Sequence, residues 1–460
     1  MKTNRLIRTI TGLTLTAFAM APLFTSAQEQ QLQFYRPNNK LGINTFETSK
    51  VDTIPFTGLK VKVNGGFTIN FQSLRASNTA TPLIKTVGTA TGNVNSLTPL
   101  IDGFNLPMAN LGFDVPLADG VRLNLTLYLA SRHHEETWVK GGYLQIDKMP
   151  FLHSDLIDKV MKNVTFIIGQ NDIDYGDQHY RRSDAGNTIY NPFVENYVMD
   201  AFATEMGMQV YYKCQKTGLF AMAGITNGEL NPTTIEPTKI DAATGNTNKY
   251  PPAYLGKLGF DKQLNADLRL RLTGSFYTVN SANSSTLYGG DRSGSNYYNV
   301  MSNPTTAAGT ALTQAIDYNA FSGRFNPGFS EEDHSYMANL FVKYKGLEFF
   351  GTIETAKGRT INETSNRSAK QYAADVVYRF PAQKENFWVA YRYNTVSATI
   401  VGNPDDVTVN RSVGSAGWFM TKNISLKAEY VDQQYKNYAA TNILNGGEFK
   451  GFMVQAAISF

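Results

Sequence analysis

From Gly451 to Phe460 the chain alternates without interruption. Phe452, Val454, Ala456, Ile458 and Phe460 form one apolar face, while Gly451, Met453, Gln455, Ala457 and Ser459 opposite them are smaller or more polar. Successive side chains of an extended strand point to opposite faces, so a period of two describes a wall with unlike surroundings on its two sides. A single strand of this kind suits a soluble sandwich edge as well as a wall between lipid and water. Repetition along the chain narrows the choice. Val61, Val63, Phe67, Ile69 and Phe71 oppose Lys60, Lys62, Asn64 and Asn70; Val121, Leu123, Leu125, Leu127 and Leu129 oppose Arg122, Asn124, Thr126 and Tyr128. Leu268, Leu270, Leu272 and Phe276 oppose Arg269, Arg271, Thr273 and Ser275, and Ile424, Leu426, Ala428 and Tyr430 oppose Ser425, Lys427 and Glu429.

The pattern predicts sixteen strands, at 60–73, 104–114, 121–132, 136–147, 163–172, 204–214, 217–227, 253–262, 266–280, 335–345, 347–358, 368–380, 386–399, 407–419, 422–434 and 447–460. An even count is what a closed antiparallel barrel from one bacterial chain requires. The connections sort themselves. Long ones (74–103, 173–203, 228–252, 281–334, 359–367, 435–446) alternate with short ones such as 116–120, 215–216 and 420–421. Outer-membrane barrels have short periplasmic turns and long outer loops, whereas a sandwich has no reason to alternate them. The fold class expected is therefore an all-β, transmembrane antiparallel barrel. Two connections depart from the rule: the outer hairpin at 132–136 is short, and the link 148–162 is long. Within 153–163, Leu156, Ile157, Val160 and Met161 recur at helical spacing, predicting a short helix at the barrel rim. Tyr211, Tyr212, Phe349, Phe350, Trp388, Tyr391, Tyr393, Trp418 and Phe419 sit near strand ends, where rings form girdles at the lipid–water boundary.

The first residues read as a secretory signal. Lys2, Arg5 and Arg8 precede an apolar stretch from Ile10 to Phe24, and Thr25-Ser26-Ala27 offers small residues for a cut ahead of Gln28. The expected organisation is a cleaved signal peptide at 1–27, a periplasmic segment at 28–59 and a barrel at 60–460. No later stretch has the ~18 unbroken apolar residues that a spanning helix needs. The formal charge of +4 includes the three basic residues of the signal, leaving the remainder near +1, which argues against a nucleic-acid partner. One cysteine, Cys214, excludes disulfides within the chain and cysteine-based zinc sites.

The segment 169–207, GQNDIDYGDQHYRRSDAGNTIYNPFVENYVMDAFATEMG, holds the longest run of paired charges. Arg181 and Arg182 lie near Asp172, Asp174, Asp177, Asp184, Glu195 and Asp200. In a water-filled barrel a loop folded inward narrows the lumen, and opposed charges there sort solutes by charge. Arg181, Arg182, Asp174, Asp177 and Asp184 are thus the expected constriction. Salt bridges that merely brace the loop are the alternative.

This segment, the strand LADGVRLNLTLYLASR at 117–132 and the terminal phenylalanine resemble the phosphate-selective porin O/P-like family of Gram-negative outer-membrane porins, over the whole chain after the signal. The resemblance implies passive diffusion of small hydrophilic solutes, anion passage, a homotrimer, and a C-terminal aromatic read by the barrel-assembly machinery. Lumen-facing basic residues to be expected are Lys62, Arg122, Arg269, Arg271 and Lys343, with Arg132, Lys140, Arg379 and Lys427 also inward. The near-neutral total departs from a phosphate binder and favours a general porin.

No cofactor or metal is expected. His133-His134-Glu135-Glu136 are consecutive and splay apart, and Asp172, Asp174 and Asp177 lack the glycine and glutamate spacing of a calcium loop. No nucleophile elbow, P-loop or dinucleotide fingerprint is present, so catalysis has no positive support; an outer-membrane hydrolase would need convergent Ser, His and Asp groups. A surface adhesion or structural barrel is the remaining alternative, since loops 74–103 and 281–334 are rich in Ser, Thr, Asn and Gly.

Overall fold

A computed structural model of the protein describes residues 31–460 except 52, 88–89, 94, 106–107, 131–136, 184–186, 231–232, 290–296 and 304–321. The expected signal peptide, Asp184, Arg132 and the run His133–Glu136 lie outside the described residues.

Sixteen long strands follow one another around a single sheet: β1 (Lys62–Ser77), β2 (Met108–Ala118), β3 (Val121–Ala130), β4 (Thr137–Ile146), β5 (Val164–Asp172), β6 (Thr204–Lys213), β7 (Leu219–Thr226), β8 (Ala253–Gln263), β9 (Leu268–Val279), β10 (Glu332–Tyr344), β11 (Leu347–Arg359), β12 (Arg367–Phe380), β13 (Phe387–Ala398), β14 (Val407–Thr421), β15 (Ile424–Lys436) and β16 (Glu448–Ser459). Each pairs antiparallel with the next. β16 returns to β1, with Gly66 opposite Ser459 and Ser77 opposite Glu448, and closes the barrel. A two-residue piece, Gly103–Phe104, leads into β2 and also pairs with β1. Closure gives every strand two neighbours, so no edge is left with unpaired backbone groups. The expected strands all form, with ends displaced by a few residues.

Turn chemistry fixes the tight end. Between β2 and β3, Gly120 adopts φ +74°, and a Cβ there would lie 2.4 Å from Lys148 Cβ, so only glycine fits without displacement. Short connections at 119–120, 345–346 and 422–423 share this end, and the long 173–203 and 280–331 leave from the other. The helix expected in 153–163 forms as α1 (Asp155–Met161) at the short-turn end, with Met161 buried.

Alternation sorts the two faces as expected. Leu272 and Phe276 face outward and are exposed, while Arg271, Thr273, Ser275 and Tyr277 of the same strand are buried within the barrel. In β16, Phe452, Val454 and Ile458 face out, and Met453, Gln455 and Ala457 face in. The aromatic girdle is only half of what the sequence suggests. Tyr212, Tyr391, Tyr393 and Trp418 are outward, but Tyr211, Phe350, Trp388 and Phe419 are buried inside. In the consecutive pairs Tyr211-Tyr212, Phe349-Phe350 and Trp418-Phe419, alternation sends one ring of each pair inward. On the outward face at the short-turn end Tyr378, Phe380, Phe387 and Trp418 stack in series at centroid spacings of 5.8, 5.8 and 6.1 Å.

Candidate functional site: the divided lumen

Loop 173–203 folds back inside the barrel and packs on the inward faces of β8–β15. A backbone carried into an enclosed space needs a partner for each N–H and C=O. The wall supplies them from the side chains that alternation turns inward. Asn339 Oδ1 accepts from the Asp177 N–H at 2.8 Å, Asn394 Oδ1 from Val198 at 2.7 Å, and Glu429 Oε2 from Val194 at 2.7 Å. Gln371 clamps Met199 with both amide atoms, at 3.0 and 2.7 Å. Lys427 Nζ donates to the carbonyls of Thr188, Asn191 and Phe193 at 2.8–2.9 Å. Toward the long-loop end, Tyr288, Tyr298, Phe325 and Phe329 of the connection 280–331 join Tyr175, Phe193 and Val198 in an apolar core, against inward Val409, Val413 and Val431 of the wall. On this side the lumen is occupied by the described residues of the loop and the connection.

On the other side it is not. A cavity of about 310 Å³ lies between the inward faces of β1–β6 and a second boundary made by the inward loop and the segment ahead of β1. Asn64, Asn110, Asp114, Arg122, Asn124, Lys140, Tyr143, Gln145 and Lys213 line it from the wall; Asp172, Asp174, His179, Tyr180 and Tyr190 line it from β5 and the loop; Tyr35, Arg36, Phe46 and Glu47 come from the N-terminal segment. Arg122 is held in ionic contact with Asp114 and donates to Gln145 Oε1 at 2.6 Å. Asn64 and Asn124 also donate to Asp114, at 2.7 and 3.0 Å, so this carboxylate is saturated. Arg36 donates to the carbonyls of Gly42 and Tyr180, both at 2.9 Å, with its guanidinium 3.7 Å from the Tyr190 ring centre. Lys213 Nζ donates to the carbonyls of Glu47 and Thr48 at 2.7 and 2.6 Å.

An ionic cluster joins the two halves. Arg271 donates to Asp177 through Nε and Nη2, both at 2.8 Å, and to Glu47 at 2.7 and 2.8 Å. Lys257 contacts Asp174 and lies 3.1 Å from Asp177 and 3.7 Å from Glu47. Burial alone would raise the Glu47 carboxyl; Arg271 and Lys257 overcome this and hold it down to about 2. Burial pushes His179 down to about 3, with the Lys257 charge adding to the effect, so its imidazole is neutral.

The residues singled out in the sequence therefore fall in different places. Asp174 lines the cavity, while Asp177 is sealed beneath Arg271 and Lys257. Arg181 and Arg182 do not line this cavity. Arg181 points to the wall, 3.3 Å from Glu348 with its guanidinium carbon 5.0 Å from the Phe350 ring centre, and Arg182 pairs with Asp200 at 2.9 Å. Of the inward basic residues, Arg122 borders the cavity, and Lys62 lies with its ammonium 4.7 Å from the Tyr35 ring centre. Arg269 is paired with Asp261 at 2.7 Å and Lys343 with Glu385 at 2.8 Å. Arg271 is fully enclosed. Sequence reasoning missed Arg36, Glu47, Asp114 and Lys213. The available signal for the first two was a pair of charges set among Phe34, Tyr35 and Phe46, which is unusual for a segment left in water.

No protein-family model matches the chain, and no curated protein matches it. Among solved structures it is similar to OmpT, an outer membrane protein of Vibrio cholerae, at 11% identity and a TM-score of 0.46, with 88% of this chain and 99% of that one covered. It is similar to an anion-selective porin from Comamonas acidovorans at 10% identity and a TM-score of 0.46, covering 87% and 100%. For the outer membrane channel DcaP of Acinetobacter baumannii the values are 11%, 0.45, 88% and 98%.

Proposed function

We propose that this barrel is a passive channel of the Gram-negative outer membrane for small hydrophilic solutes, with a preference for anions. The observation that carries the reading is the polar cavity beside β1–β6, inside a closed wall whose outer face is apolar. Such a wall satisfies its own backbone and matches hydrocarbon, while its interior holds water. Charge placement supports the anion preference. Asp114 is cancelled by Arg122, while Arg271 and Lys257 face three carboxylates, Glu47, Asp174 and Asp177, leaving one negative charge over. Asp172 and Lys140 offset one another across the lining. Arg36 and Lys213 rest on carbonyl oxygens, and their two positive charges outweigh that leftover negative one by a single charge. A salt-gradient recording of the purified protein in a planar bilayer tests this. The expected reversal potential has the sign of anion selectivity; the opposite sign rejects the preference, and an absence of current rejects the channel.

A second reading has its own support. The apolar packing of Tyr288, Tyr298, Phe325 and Phe329 inside the wall suits a closed barrel with a structural or adhesive role at the surface. Liposome swelling separates the two, because a closed barrel admits no sugars.

A further inference from the structure

The segment ahead of β1 makes one complete circuit of the barrel's inner wall at the short-turn end. Gln33 starts it at the β2–β3 turn, donating to Asp119 at 2.9 Å and accepting from the Gly120 N–H at 3.0 Å. Asn38 then reaches the carbonyl of Gly65 in β1 at 3.1 Å, beside Phe460. The Lys40 N–H donates to Lys422 in the β14–β15 turn at 2.8 Å, and its ammonium to Asn386 before β13 at 2.6 Å. Asn44 contacts Glu348 of β11 at 2.5 Å, and Glu47 meets Arg271 of β9. Lys213, at the end of β6, holds Glu47 and Thr48, and Lys50 donates to Asp147 after β4 and Val164 of β5, both at 2.8 Å. The strands are met in strict order around the wall. Gln33 Nε2 finally donates to Ile54 O at 2.9 Å and shuts the circuit on itself.

A chain that merely blocked the opening would cross it. One that follows the wall leaves its middle to what else enters: on one side loop 173–203 does, Tyr190 donating to Pro37 O at 2.6 Å, and on the other lies the cavity, bordered by six residues of this circuit. We infer that residues 33–51, tied back to their start through Gln33 and Ile54, form an inner collar that sets the limiting cross-section of the channel at its short-turn mouth, with Arg36 as its charged contact to passing solutes. The inference rests on the channel reading above and adds which element limits passage. Strand number fixes the width of the wall, but passage depends on the narrowest ring inside it. Every hold cited except the Lys40 N–H to Lys422 O uses a side chain, and none is a rung of the sheet, so the collar is separable from the barrel.

The test is single-channel conductance and sugar cut-off of the full chain, of a deletion of 33–58, and of E47K, which sets a cation against Arg271, Lys257 and Lys213. The deletion is expected to raise conductance by at least about twofold and admit larger sugars, with E47K between it and the starting protein. Because the deletion can fail to assemble, a C214S/T48C chain provides an independent arm: a bulky thiol reagent on Thr48→Cys is expected to lower conductance. Conductance unchanged both by deletion in a folded barrel and by thiol modification overturns the collar while leaving the channel standing. Silence of the intact chain with current through the deletion variant overturns the collar, since it makes the segment a plug with no opening. Silence of every form removes the channel reading and the collar with it.

Discussion

The two halves of the lumen are built from the same kind of strand and end up as different materials. Against β8–β15 the inward polar side chains bond the backbone of loop 173–203, and that half has become a protein interior. Against β1–β6 equivalent side chains, among them Asn64, Asn124 and Arg122, border open space. Inward polarity by itself therefore does not make a pore. The difference lies in whether another stretch of chain arrives with unsatisfied N–H and C=O groups of its own, because a buried backbone takes up whatever polar partners the wall offers. Arg271 and Arg122 illustrate it: both are inward arginines facing carboxylates, but one is enclosed on all sides and the other stands beside a cavity.

The contrast is most exposed to failure at Arg271. In Arg271→Met, Asp177 loses its guanidinium partner where water cannot replace it and Glu47 loses it beside the cavity, and a loss of about 3–5 kcal/mol is expected in denaturant unfolding. An unchanged midpoint would mean that the packed half is wet. One residue along, Leu272→Arg places a charge on the outward face and is expected to cost about 2–4 kcal/mol in a bilayer; no penalty in lipid would show that this face does not meet hydrocarbon. For Arg182→Met the expectation is a loss of about 2 kcal/mol, since Asp200 keeps Tyr297 and Asn196 but loses its charged partner. Its reversal potential should match the starting protein, whereas the sequence alone suggests a shift toward cations on replacing Arg181 and Arg182. Observing that shift would put the loop arginines back in the conduit. Arg122→Gln, in the open half, should cost about 1 kcal/mol and move the reversal potential toward cations by uncovering Asp114; no movement would exclude this wall from the ion path.

The smallest effect expected is that of acid on the collar. Glu47 is held at about 2 in the folded chain, below its ordinary 4.5. A depressed carboxylate contributes stability that is complete above the unfolded value and disappears as pH falls through the folded one. A conductance change near pH 6 belongs to Asp174, which burial pushes up to about 6 beside the same cavity, whereas the Glu47 part should appear only below about pH 3. A step above about pH 4 that disappears in Glu47→Gln would show that Glu47 is not held as described.

Period-two alternation determined the wall by itself. It located all sixteen strands, sorted long connections from short ones, and identified which residues face outward, because the side-chain direction of a strand is a local property of the backbone. The helical spacing at 153–163 was equally local, and α1 formed there. Pairs such as Trp418-Phe419 show the rule outranking residue type: both rings suit a girdle, yet only Trp418 is outside. Which inward residues meet water was decided by tertiary structure. Arg181 meets Glu348, Lys427 meets Thr188, and Gln33 meets Asp119 across long sequence separations, and no pattern in the strands announces the loop or the collar that arrives on them. Facing inward is set by two neighbouring peptide units, but being open or covered depends on how the rest of the chain shares one enclosed volume.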